Sequence, residues 1–114
     1  MDEMNEIEIN GCVYVKKNRD DMPYVIVRTH SAGVFACYLK DRNGKEGVLV
    51  DARRLWRWSG AASLSQLAVD GPSNPQKCKF PCVVGEIIVT EIIEILTCTE
   101  KSKKAISEVP VWKV

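Results

Sequence analysis

The sequence predicts a small α+β domain: mainly antiparallel β, about six strands in a rolled sheet or partly open barrel, with one or two short helices. Three observations predict it. Asn43-Gly44 lies between two β-prone runs, the strongest short-range signal for a hairpin. The runs 24–29 and 86–97 are dense in β-branched residues, which suit a pleated, half-buried surface. Only two segments open with a helix cap: Ser63, with Gln66 at the third helical position, and Thr99.

Taken in order, residues 1–10 are polar and are expected to fray. Residues 11–15 alternate as a short strand, and 18–23 form a charged turn. Tyr24 to Thr29 is a strand, ended by the small residues of 30–33, and 34–40 is the next. A two-residue type I′ turn at Asn43-Gly44 returns the chain into 46–50. That strand pattern runs on through Trp58. Beyond 59–62, Ser63 caps a helix whose apolar face is Leu64, Leu67 and Ala68 and which Gly71-Pro72 stops. At about two turns it needs tertiary packing to persist. Pro72, Pro75 and Pro81 mark 71–82 as loop. Between Thr90 and Ile93 the alternation of 86–97 slips, which implies a bulge or a sharp bend. Thr99 caps a helix over 99–107, and 109–112 closes as an edge strand, where Pro110 is tolerable. No repeat, low-complexity tract or linker interrupts the chain, so 1–114 is expected to be a single domain.

With 114 residues and 46% hydrophobic content, the chain can bury a sufficient core without metals or cross-links. No apolar run of about 18 residues exists, so no membrane span is expected. The opening stretch holds Asp2, Glu3 and Glu6, the reverse of a signal peptide, which points to the cytoplasm. A net charge of +1 gives no global field to attract duplex nucleic acid. The five cysteines are expected to be reduced, with Cys37 and Cys98 acting as small buried hydrophobes. Cys78 and Cys82 could chelate together, but His30 is the only histidine and no second pair completes a tetrahedron. No metal and no cofactor are expected.

One cluster could carry chemistry. If 53–58 is extended, Arg54, Trp56 and Trp58 share one face, and Arg53, Leu55 and Arg57 the other. A guanidinium forks onto phosphate oxygens and an indole stacks on a base. Gly60, Ala61 and Ala62 follow, small enough for a ligand to approach the backbone, and the Ser63 helix turns its N–H groups toward the same place. The plain alternative is that the tryptophans are core and the arginines ordinary surface packing. The turn Arg28-Thr29-His30-Ser31 adds an imidazole and two hydroxyls, although Thr29 and Ser31 also suit turn capping. Adjacent His30 and Ser31 point apart in extended chain, and no nucleophile elbow or phosphate loop is present, so no catalytic residue is expected. Glu91 and Glu94 face opposite ways unless a bulge realigns them.

The segments 28–36, 52–56, 58–68, 78–81 and 109–112 together resemble a family of small proteins of tailed bacteriophages and prophages. The resemblance spans roughly residues 24–113 and rests on long runs such as Arg28-Thr29-His30-Ser31-Ala32-Gly33-Val34-Phe35-Ala36. Members often carry glycine where this chain has Cys37 and an aromatic where it has Arg57; the second departure alters the cluster itself. The resemblance implies phage origin and an accessory role in the cytoplasm of the bacterial host. It brings no activity with it.

Together these features lead us to expect a non-enzymatic protein that sequesters a phosphate-bearing nucleotide, of cyclic or ADP-ribose type, against host defence. Arg28, Thr29, His30, Ser31, Arg53, Arg54, Trp56, Arg57 and Trp58 are the expected ligand-binding residues. The second expectation is a protein-interaction module anchored by the same indoles and arginines. A nucleotide hydrolase ranks last for want of a metal site or nucleophile. A homo-oligomer is expected, since edge strands need cover and small domains make deep pockets between subunits.

Overall fold

A computed structural model describes residues 6–9, 12–15 and 21–113, the first two stretches as backbone only. Five strands form one antiparallel sheet: β3 (Tyr24–Thr29), β4 (Val34–Asn43), β5 (Glu46–Arg54), β6 (Val83–Val89) and β7 (Ile92–Thr97). Their spatial order is β6-β5-β4-β3-β7. Two further strands, β1 (Glu6–Ile9) and β2 (Cys12–Val15), pair in a separate antiparallel hairpin. The first ten residues, expected to fray, therefore include a paired strand; the rest of that stretch lies outside the described residues.

The two edges of the large sheet are consecutive in the chain. Only Thr90 and Glu91 separate β6 from β7, so Val89 and Ile92 lie within about 11 Å of each other. The sheet meets this constraint by rolling. Two bulges bend it: Lys40 is the extra residue on β4, and Asp51, in the left-handed region at φ 49°, is the extra residue on β5. The tip of the β4–β5 hairpin thereby reaches the start of β7, where Ile92 N–H donates to the Lys45 carbonyl at 2.9 Å. Val25, Val27, Phe35, Cys37, Leu49, Ala52, Val89 and Ile92 fill the interior of the roll. Among the described residues β6 and β7 do not pair, so the roll stays open rather than closing as a barrel.

The hairpin turn sits one residue later than Asn43-Gly44. Asn43 pairs with Glu46, leaving Gly44-Lys45 as the two-residue loop, and only Gly44 has positive φ (63°). That is the type II′ pattern, in which glycine takes the first central position.

The outer face of the sheet carries the helices α1 (Leu64–Asp70) and α2 (Glu100–Ser107). Their core joins Leu67, Ala68 and Ile106 to Tyr24, Ile26 and Ala36 of the sheet and to Phe80 and Cys78 of the long loop. Ser63 Oγ accepts from Gln66 N–H and Thr99 Oγ1 from Ser102 N–H, the caps read from the sequence. Ser102 Oγ donates to the Leu67 carbonyl at 2.6 Å, and Thr99 N–H to that of Ala68 at 3.0 Å, tying the helices together. The run 86–97 resolves into two strands, and the slip appears as both the Thr90-Glu91 link and a bulge between β7 and β3 at Ile93.

Candidate functional site

Arg53 and Arg54 end β5 and, as neighbours in a strand, leave on opposite faces. Arg53 enters the outer core and is only 6% exposed. Its guanidinium donates to four carbonyls: Pro81 from Nε at 2.9 Å, Ile106 from Nη1 at 2.9 Å, and Phe80 and Val109 from Nη2 at 3.2 and 2.7 Å. It also lies 5.5 Å from the centre of the Phe80 ring. A buried charge is tolerable only when so satisfied, and here the acceptors include the last turn of α2, where a cation suits the helix dipole. Burial still lowers the Arg53 pKa. Arg53 belongs to the fold, with four of its five N–H groups committed to the backbone.

Arg54 leaves toward the interior of the roll. Its guanidinium lies 4.6 Å from the centre of the Phe35 ring, and Nε donates to the Ala32 carbonyl at 3.3 Å. Nη1 and Nη2 have no partner among the described residues. A planar cation held on an aromatic face with its fork open is prepared for a bidentate oxyanion. Close approach of the 30–33 turn supports this placement. Gly33, at φ 108°, leaves room beside Arg54 Nε, which a Cβ there would approach to 3.6 Å.

That turn is the second predicted segment, so the structure brings the two together through Arg54. Its own polar groups are largely engaged. Thr29 is buried, and its hydroxyl donates to the Gly33 carbonyl at 2.7 Å. Arg28 Nε donates to Glu94 at 2.9 Å, and Ser31 Oγ to Glu91 at 3.0 Å. His30 is exposed, with Nδ1 at 3.9 Å from the same Glu91 carboxylate. A bulge at Ile93 does lie between Glu91 and Glu94, and each carboxylate serves a different partner, Ser31 and Arg28. Beside them His30, Lys45, Thr90, Glu91, Ile92 and Ile93 line an open groove of about 470 Å³.

The tryptophans are not on one strand face with Arg54, because β5 stops there. Leu55 N–H makes one more bond, to the Val34 carbonyl at 2.8 Å, and the chain then leaves β4 to pair Arg57 with Lys79. Trp58 packs against the outer core, whereas Trp56 is 64% exposed. Arg57 is exposed. The small residues after them are occupied by the protein itself. Ser73 and Asn74 N–H donate to the Gly60 and Ser59 carbonyls at 3.2 and 3.3 Å. The Gln66 side chain accepts from Ala62 N–H at 2.8 Å. So Ser59 and Gly60 receive a neighbouring loop, and Ala62 closes onto the start of α1.

Cys37 and Cys98 are buried thiols as expected; burial pushes Cys98 from its ordinary 9.0 up to about 12 and raises Cys37 as well. Among the described residues no group of three potential metal ligands occurs, and no helix is long and apolar enough to cross a membrane. Sequence reasoning missed Phe35, Lys79 and Trp112. Phe35 read as an ordinary strand hydrophobe, and the neighbourhood of Lys79 and Trp112 depends on pairing between segments more than thirty residues apart.

Fold and site together define a small α+β domain with a rolled, open sheet and an arginine fork at its rim. The chain belongs to the family described as a domain of unknown function (DUF6948), whose model matches residues 22–106. Neither a curated protein nor a solved structure matches it.

Proposed function

We propose that the protein is a non-enzymatic binder of a phosphate-bearing nucleotide, held by Arg54. The observation that carries this reading is the Arg54 guanidinium, fixed on Phe35 at 4.6 Å with both η nitrogens unpartnered among the described residues. Phosphate oxygens complete such a fork, and Trp56, two residues along and largely exposed, offers a stacking surface for the base.

In this reading the chain serves a tailed phage by sequestering a nucleotide signal of cyclic or ADP-ribose type within the host cytoplasm. Support for the phage setting is the resemblance of segments 28–36, 52–56 and 58–68 to a family of phage and prophage proteins. A second copy deepens the site: the edge strand β6 exposes Val83, Val84 and Ile88, apolar cover that a homo-oligomer would use. Calorimetric titration with ADP-ribose isomers and cyclic di- and trinucleotides tests the proposal. The expected result is saturable binding of one of them, recovered chemically intact after the protein is denatured. Products in place of intact nucleotide would make the protein an enzyme and overturn it.

The exposed Trp56, with Val83 and Ile88, also favours a protein-interaction module as the second reading. It predicts one stoichiometric host protein in a pull-down, lost with Trp56→Ala and kept with Arg54→Ala.

A further inference from the structure

Three segments far apart in sequence meet in a short ribbon. Arg57 and Lys79 exchange backbone hydrogen bonds at 3.3 and 2.8 Å. The next residue, Phe80, forms a parallel bridge with Val111, and its carbonyl accepts from Trp112 N–H at 2.9 Å. Phe80 is fully buried, so Lys79 beside it projects outward, and Arg57 directly across the ladder shares its side. The Lys79 ammonium stands 5.4 Å from the centre of the Trp112 ring. Trp112 remains 41% exposed.

Four cations flank this ribbon: Arg57 and Lys79 on the ladder, Lys77 just before it, and Lys113 beside Trp112. Arg57, Lys77, Lys79 and Lys113 form no ion pair with any described residue. Cations grouped beside an exposed indole match a polyanion that also carries flat apolar faces.

We infer that this ribbon binds single-stranded nucleic acid. Arg57, Lys77, Lys79 and Lys113 take phosphates, and the exposed Trp112 ring stacks an unpaired base. A duplex keeps its bases stacked on each other, so it cannot use the indole, and a poly-glutamate has no ring to place on it. This surface is separate from the Arg54 fork, whose guanidinium stacks on Phe35.

The test is fluorescence anisotropy of the full chain with a labelled oligothymidylate, a duplex of equal length and poly-glutamate as competitor. Binding of the single strand, with intrinsic tryptophan quenching and a log–log salt slope of about −3 for four phosphate contacts, is expected. Trp112→Ala and Lys79→Glu should each weaken it by about tenfold, and Arg54→Ala should leave it unchanged. Preference for the duplex, equal displacement by poly-glutamate, or wild-type affinity in both ribbon variants would overturn the inference. Circular dichroism confirms that each variant is folded, and the two variants remove stacking and charge separately.

Discussion

Two arginines adjacent in sequence meet opposite fates, and the difference is one of alternation along a strand. Arg53 satisfies four carbonyls across three segments, so Arg53→Ala leaves buried acceptors without donors. A loss of about 3 kcal/mol is expected, read as a lower urea midpoint. Arg54→Ala removes a half-exposed side chain with one long hydrogen bond and should cost about 1 kcal/mol or less. The buried thiols give a second test. Folding raises the Cys98 pKa from 9.0 to about 12, and that of Cys37 in the same direction, so the folded state holds their protons more tightly than the unfolded state. Their contribution is full below pH 9 and is lost as pH rises toward about 12, so stability should fall across that window. At neutral pH a maleimide should label exposed Cys82 and spare Cys37 and Cys98 until denaturant is added.

At the level of elements, local chemistry was legible wherever it acts through neighbours in the chain. The strand Tyr24–Thr29 and the caps Ser63 and Thr99 follow directly from propensity and side-chain hydrogen bonding. What depends on distant segments was not. β5 ends at Arg54 because Arg57 finds Lys79, which no pattern in 53–58 encodes. β6 starts at Val83, before its strong β-prone run, because β5 supplies an edge to pair with. Gly60 looked like room for a ligand and instead admits the 73–74 loop. A Cβ there would lie within van der Waals clash of Ser73, where φ is already 90°. Gly60→Ala should therefore destabilise by about 2 kcal/mol or more, whereas Gly85→Ala, with open space around it, should stay within about 0.5 kcal/mol in the same thermal melt.

For the whole molecule, the sequence sufficed to indicate a small antiparallel α+β domain, but not how its sheet closes on itself. Placing β6 and β7 at opposite edges while joining them by two residues forces the roll, and the roll buries Phe35 beneath Arg54. The candidate site was legible as a cluster in composition. Its division into one structural arginine, one open fork and one exposed indole follows only from the fold. Central to the account is that Arg54, and not Arg53, offers its guanidinium to phosphate. The most direct test melts wild type and Arg54→Ala with and without each cyclic nucleotide and ADP-ribose isomer. A single nucleotide at about a hundredfold excess over its Kd should stabilise the wild type by ~2.7 kcal/mol and leave an equally folded Arg54→Ala unmoved. No shift with any nucleotide, or the same shift in both proteins, would contradict the account.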